Sequence, residues 1–271
     1  MFEYDTLVVT VSKAVARIDL NRPDKGNCLN AVMWRELGEV FHAMASASDI
    51  RAVILGGAGN HFSTGIDLEY VAGMRQELNQ LPEGRKQEVL RHMIMELQAS
   101  VNAIEACPKP VLAAICGYCI GAGVDIAAAC DMRYATASTR FSVKEVDLSI
   151  VADLGSLQRL PRIVGEGLAR ELAFTGRQFK GEEAQTMRLV NRLFTDKTDL
   201  DDGVMALAEQ LTQKSPLTLR GIKETMNFSR DHAIGEGLNF VAHRNAAMLL
   251  SEDLLEAVSA HLEKRRPRYN D

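Results

Sequence analysis

The sequence predicts an α/β fold, and three observations predict it. Two short runs that are apolar throughout, Ala52-Val53-Ile54-Leu55 and Val111-Leu112-Ala113-Ala114-Ile115, read as buried strands. Each ends in a glycine-rich turn, Gly56-Gly57-Ala58-Gly59 and Cys116-Gly117-Tyr118-Cys119-Ile120-Gly121-Ala122-Gly123, with helical patterning beyond it. From about residue 200 the pattern is helical to the end of the chain. Alternation of strand, turn and helix argues for α/β architecture, and the terminal run of helices marks a second region.

Taken in order, residues 6–11 and 15–20 read as strands around a short turn at Ser12-Lys13. Residues 31–45 read as a helix with Leu37, Val40, Phe41 and Met44 on one face. Beyond the strand at 52–55 a helix starts after Gly65 and runs into a polar stretch over 76–86. Residues 89–106 form another helix, closed by Pro108 and Pro110. After the strand at 111–115 the glycine turn leads into a helix from Val124, and Phe141-Ser142-Val143 is strand-like. The segments 203–213, 216–229, 233–250 and 252–264 are helical, with apolar faces that need partners.

A chain of 271 residues with 46% hydrophobic content buries a substantial core. A formal charge of −5 argues against a general nucleic-acid binder, and the one dense basic run is Lys264-Arg265-Arg266-Pro267-Arg268. No apolar stretch approaches the 18 to 20 residues of a membrane span. The opening Met1-Phe2-Glu3-Tyr4-Asp5 is acidic and lacks the apolar core of a signal peptide, and Tyr269-Asn270-Asp271 is not a peroxisomal address. The expected compartment is therefore the cytoplasm. Cys28, Cys107, Cys116, Cys119 and Cys130 make no disulfide framework, and Cys116-x-x-Cys119 lacks a second ligand pair. The six histidines form no metal cluster, so no metal is expected. The sequence contains no dinucleotide or P-loop fingerprint and no nucleophile elbow, and Ser63 beside His61 is not by itself a triad.

Three acids stand where carboxylates are awkward. Asp125 interrupts Val124-Asp125-Ile126-Ala127-Ala128-Ala129, Glu145 follows the strand-like 141–143, and Asp153 follows Leu148-Ser149-Ile150-Val151-Ala152. Each also has an ordinary structural explanation: Asp125 in the first turn of a helix, Asp153 as a cap near Leu154-Gly155, Glu145 in a loop. Together near one apolar pocket they point to proton transfer, because crowded, desolvated carboxylates have pKa values pushed upward and apart.

Four ordered blocks carry a resemblance over nearly the whole chain. These are Leu20-Asn21-Arg22-Pro23-Asp24-Lys25-Gly26-Asn27-Cys28-Leu29-Asn30, His61-Phe62-Ser63-Thr64-Gly65-Ile66-Asp67-Leu68, the stretch from Lys109-Pro110-Val111 to Asp131, and Glu263-Lys264-Arg265-Arg266-Pro267-Arg268-Tyr269. They resemble the CoA-contacting turn, the two oxyanion-hole segments and the C-terminal signature of the crotonase (enoyl-CoA hydratase/isomerase) superfamily. The resemblance implies a crotonase-like spiral of β-β-α turns over residues 1–199 and a C-terminal helical oligomerisation region over 200–271, assembled as a homotrimer or homohexamer. Typical hydratases of the family carry glutamates at the positions of Asp125 and Glu145 and a glycine at that of Asp153. The Δ3,5-Δ2,4-dienoyl-CoA isomerases carry Asp, Glu and Asp, and the segment 143–161 is very similar to theirs.

The resemblance further implies an acyl-CoA thioester as substrate, with CoA part of that substrate and no separate cofactor. The backbone N–H groups of Ile66 and Ala122 form the implied oxyanion hole. Alanine stands where the family often has the middle of three glycines, which is compatible with a donor role provided its φ is negative. Lys25, Asn27, Cys28, Ser63, Gly65 and Asp67 are the implied CoA contacts, and the acyl chain is expected along apolar residues of the 70–95 segment. The implied reaction isomerises 3,5-dienoyl-CoA to 2,4-dienoyl-CoA within fatty-acid β-oxidation, with Glu145 and Asp153 as the proton-transfer pair and Asp125 in support. The alternatives are an enoyl-CoA hydratase that uses Asp125 and Glu145 to activate water, and a CoA-binding protein with little catalysis.

Overall fold

The computed structural model describes residues 3–270. Met1, Phe2 and Asp271, on which the targeting expectation partly rests, lie outside the described residues. The anticipated hairpin is formed by β1 (Leu7–Ser12) and β2 (Val15–Leu20), antiparallel and closed at Ser12↔Val15. Lys13 and Ala14 make the turn with φ of 51° and 63°, the left-handed pair that suits a two-residue hairpin. α1 (Ala31–Ser46) starts where the Asn30 side chain accepts the Met33 N–H at 3.0 Å. Its apolar face (Trp34, Leu37, Phe41, Met44) enters the core. Glu36, also buried there, is satisfied by the Asp5 and Thr6 N–H groups and the Thr6 hydroxyl.

β3 (Ala52–Gly57) and β4 (Val111–Ile115) continue the sheet in parallel from β2. Their continuous apolarity has a direct cause, since both faces are covered. Val53, Leu55, Val111, Ala113 and Ile115 join α1 in the main core, while Ala52, Ile54, Leu112 and Ala114 join a second cluster on the opposite face. β6 (Met132–Thr136) and β9 (Arg192–Phe194) complete a six-stranded sheet of order β1-β2-β3-β4-β6-β9.

A second, three-stranded sheet has the order β5-β7-β8, with β5 (Tyr118–Ile120), β7 (Arg140–Ser142) and β8 (Phe179–Lys180). β5 lies inside the stretch that sequence patterning presents only as a glycine turn, and α4 (Ala122–Ala129) follows it directly. The chain thus passes from a strand of the large sheet to a strand of the small sheet to a helix, which is the β-β-α spiral.

α2 (Leu68–Leu78) and α3 (Glu83–Ala106) follow β3. α3 begins at Glu83 rather than at 89 because its first turns are exposed and charged and show no apolar period. α5 (Ser156–Val164) and α6 (Glu166–Thr175) connect β7 to β8 within the small sheet, and α7 (Gly181–Thr186) leads from β8 to β9.

The expected boundary at 199/200 needs correction. It cuts through α8 (Lys197–Thr212), whose Leu200, Val204 and Ala208 cover the outer face of β3 and β4. What stands apart is α9 (Pro216–Asp231), α10 (Ile234–Met248) and α11 (Glu252–Leu262). α9 is tied to the core by polar groups: Lys223 Nζ donates to Asp131 Oδ2 at 2.7 Å and to Lys109 O at 3.1 Å, and Arg230 pairs with Glu105. Met226, Ile234, Leu238, Leu255 and Leu262 are left exposed on these helices.

Lys109 closes the C-terminal end of α1. Its ammonium, 4% exposed, donates to Met44 O at 2.5 Å and to Ala47 O. Lys109→Met leaves these buried carbonyls without a cation and is expected to lower unfolding stability by roughly 2–4 kcal/mol, read from urea denaturation.

Candidate active site

Two turns are brought together by strand-like pairing outside the regular sheets. Ser63 bridges Cys119, with Ser63 N donating to Tyr118 O (2.9 Å) and Ile120 N to Ser63 O (3.0 Å). Ile66 bridges Leu29 through Leu29 N to Gly65 O (2.9 Å) and Asp67 N to Leu29 O (3.0 Å). In a parallel bridge of this kind the neighbours of Ile66 make the bonds, so its own N–H points to the other side.

That side faces the start of α4. Gly65 has φ of 96°, and a Cβ there would stand 2.9 Å from Ile120 O and 3.7 Å from Ala122 N. Only glycine fits both the backbone angle and the gap. Gly121, with φ 53° and ψ −119°, turns the chain from β5 into α4, and a Cβ there would stand 3.1 Å from Glu145 Oε1. Ala122 is the first residue of α4, so its N–H belongs to the unpaired first turn. Its φ is not positive, and the alanine substitution leaves the donor unstrained. The donors Ile66 N–H and Ala122 N–H therefore flank one glycine-lined gap, with Glu145 beside it.

The structure brings the three acids together. Asp125 on α4 is 1% exposed, and its Oδ1 accepts both Ser156 N–H and Ser156 Oγ–H at 2.6 Å. Burial pushes its carboxyl up to about 6 against the lowering effect of those bonds, and Asp153 adds to the rise. Glu145 begins a 3-10 turn (Glu145–Leu148). Its Oε2 is buried and has no hydrogen-bond partner among the described residues. Burial first, then Asp125 and Asp153, push Glu145 up to about 7. Asp153 is half-buried and is likewise raised by burial. It does not cap α5, whose first turn is preceded by Gly155.

The anticipated CoA residues divide. Asn27 is fully buried with φ of 56°; its Oδ1 accepts Arg22 N–H (2.8 Å) and its Nδ2 donates to Ala58 O (2.9 Å) and His61 O (2.7 Å). Ser63 Oγ donates to Asn27 O (2.9 Å) and accepts Gly65 N–H (3.1 Å). Asp67 caps α2 through Glu69 N–H and pairs with Arg22 Nη1 at 2.8 Å. Burial works against its charge, yet the Arg22 bond holds the carboxyl below its usual range. These three side chains are thus spent inside the fold and shape the turns. Cys28 is half-buried against Arg22 and Asp67, and Lys25 is exposed, 3.5 Å from Glu69.

Sequence reasoning missed Ser156, Arg22 and Gln98, whose Nε2 donates to Asp153 O at 2.7 Å. The one available signal for Ser156 was its place three residues after Asp153, ahead of the amphipathic Leu157 and Leu160. A cavity of about 1020 Å³ between the core and α9 reaches Asp153 and Gln98 but not Glu145, Ile66 or Ala122, so it is not the reaction cleft by itself. Cys116 and Cys119 are buried, and burial pushes both thiols up, away from the reactive thiolate. His61 Nδ1 accepts the Tyr118 N–H, while Ser63 Oγ bonds elsewhere, so they form no triad. Among the described residues no group of His, Cys, Asp and Glu is arranged to hold a metal, and no helix is long and apolar enough to cross a membrane.

The chain is similar to known proteins over nearly its whole length. The enoyl-CoA hydratase/isomerase family matches residues 10–271. The peroxisomal Δ(3,5)-Δ(2,4)-dienoyl-CoA isomerase of Arabidopsis thaliana is 45% identical, covering 99% of this chain and 98% of its own. The mitochondrial isomerase of that name from Homo sapiens is 43% identical over 97% of this chain and 80% of its own. A crystal structure of an enoyl-CoA hydratase from Bacillus anthracis superposes with a TM-score of 0.90 at 30% identity, covering 98% of this chain and 99% of that one. The compartments named for the two isomerases overturn the expectation of a cytoplasmic protein. That expectation rested on missing addresses, and a missing address assigns no compartment.

Asn27→Ala removes three buried hydrogen bonds at a left-handed position. It is expected to destabilise the chain by about 2–4 kcal/mol in urea titrations, beyond any change in ligand affinity.

Proposed function

The chain belongs to the enoyl-CoA hydratase/isomerase family, and from that premise we propose that it isomerises 3,5-dienoyl-CoA to 2,4-dienoyl-CoA in fatty-acid β-oxidation. The observation that carries this reading is the second proton-transfer acid. Asp153 stands with Glu145 around buried Asp125, and burial raises all three carboxyls.

In the proposed reaction the thioester carbonyl oxygen accepts hydrogen bonds from Ile66 N–H and Ala122 N–H. Ionised Glu145 removes a C2 proton, and the electron pair delocalises through the diene into the carbonyl. The two donors stabilise charge that appears only as the proton leaves; one such donor is worth about 3–4 kcal/mol in other enzymes. Protonated Asp153 delivers its proton to C6, which leaves Glu145 protonated and Asp153 ionised, and exchange with solvent resets the pair. A base whose pKa lies near 7 is well matched to this task. Asp125, raised to about 6, is mainly ionised near neutral pH and adds negative charge beside the pair. It is poorly suited to activating water, since it is 1% exposed and its Oδ1 already accepts two donors. That disfavours the hydratase alternative.

CoA is held, in this reading, by the turns that Asn27, Ser63 and Asp67 shape, with Gly65 lining the thioester end and Lys25 and Cys28 at the nucleotide end. The exposed apolar residues of α9–α11 support assembly as a homotrimer or homohexamer, in which those faces are covered by other copies. Light scattering tests this: three or six chain masses are expected, and a monomer refutes it.

The activity test follows absorbance with a 3,5-dienoyl-CoA and, separately, a 2-enoyl-CoA. Appearance of the 2,4-dienoyl chromophore is expected; hydration of the enoyl substrate without it makes the chain a hydratase. Glu145→Gln and Asp153→Asn are each expected to lower isomerase kcat at least about 100-fold, whereas a hydratase tolerates the second. The pH profile is expected to be bell-shaped. Below about 7 Glu145 is increasingly protonated and unable to accept the C2 proton. At high pH the pair loses the one remaining proton, which must reach C6. The apparent values of the limbs belong to the coupled acids rather than to either one.

A further inference from the structure

We propose that Ser156 is a positioning residue for proton transfer: its two hydrogen bonds to one oxygen of Asp125 favour the ionised form of that carboxylate and fix the loop carrying Asp153. The proposal rests on the reading of Glu145 and Asp153 as the acid–base pair.

Ser156 is fully buried against fully buried Asp125, and its N–H and Oγ–H both reach Oδ1 at 2.6 Å. Ser156 is the first residue of α5, so its N–H is an unpaired helix-start donor that suits an anion. Two bonds to a charged acceptor in a buried place are among the stronger hydrogen bonds a protein makes. They join α4, which opens with the Ala122 donor, to the loop three residues after Asp153.

The bond acts in two ways. Geometrically, the 153–156 loop is held at its start by Gln98 Nε2 on Asp153 O (2.7 Å) and at its end by Asp125 on Ser156. Electrostatically, the Asp125 charge adds to burial in raising Glu145. The groups facing Asp125 are Asp153 from the loop, Glu145 from the 3-10 turn, Arg159 from α5 and the Cys119 thiol from β5. Burial keeps that thiol neutral. α3 contributes Gln98 and Glu105, the latter paired with Arg159.

Ser156→Ala keeps the N–H bond and removes the hydroxyl bond. Hydrogen bonds to the charged form favour it, so their loss makes Asp125 protonate more readily. With that charge weakened, Glu145 ionises at lower pH. The acid limb of kcat/KM is then expected to move down by up to about one pH unit, with kcat reduced and KM little changed. Ser156→Cys, which retains a weak donor, is expected to fall between the wild type and Ser156→Ala. Asp125→Asn is expected to move the limb in the same direction. Adding Ser156→Ala to it should then shift nothing further, because the charge on which Ser156 acts is gone.

The experiment is the set of pH profiles on a 3,5-dienoyl-CoA for the wild type, both Ser156 variants, Asp125→Asn and the double variant. A Ser156→Ala profile that superimposes on the wild type overturns the proposal, as does a shift that persists in the Asp125→Asn background. Glu145→Gln is the separate control. If it stays active, the acid–base reading fails, independently of how the Ser156 variants behave.

Discussion

The structure depends on the close approach of the 63–67 segment to the turn between β5 and α4. Gly65 makes it possible by having no Cβ, since one there would stand 2.9 Å from Ile120 O. From that approach follow the two free N–H groups, the direction in which α4 leaves the small sheet, and hence the buried position of Asp125. The polar side chains behind the approach (Asn27, Ser63 and Asp67) bind backbone and Arg22, so the backbone groups at the front remain free. A fold that must leave donors unpaired for a substrate has to satisfy the surrounding ones with particular care, because an unmet buried polar group costs about 1–3 kcal/mol.

The acids are kept by a balance of opposing effects. Burial disfavours charge on each of them, and the charges disfavour one another. Asp125 is relieved by Ser156, whereas Glu145 has a buried oxygen with no partner among the described residues. That asymmetry leaves Asp125 the more readily ionised of the two, about 6 against about 7, and Glu145 the freer to exchange its proton. It costs stability, as functional sites commonly do.

Much of this was legible in the sequence, for physical reasons that differ by element. β3 and β4 were visible because both their faces are buried and no polar residue interrupts them. The acids were visible because a carboxylate in an apolar run needs an explanation. β5 was not, since three residues between glycines carry no period. α5 and α6 were hidden by Pro161 inside the first and Gly165 between them. The polar turn residues were ambiguous in another way: Asn27, Ser63 and Asp67 look alike in sequence whether they face a ligand or the interior, and here the interior claims them. Ser156 was marked only by its place at a helix start after Asp153, and its pairing with Asp125 carried no local signal because that partner lies 31 residues away.

The strand order of the large sheet carries one more consequence. From β1 to β9 the strands are laid down in the order of the chain, with each new one added to the free edge left by its predecessor. A polypeptide emerging from the ribosome can therefore extend the sheet as it is made, without waiting for a distant segment to be threaded between existing strands. The exception is the outer cover of β3 and β4, which comes from α8, synthesised after the last strand. Until α8 arrives, Ile54 and Leu112 face water, so a chain stalled shortly before residue 197 exposes a hydrophobic sheet face to chaperones or to aggregation.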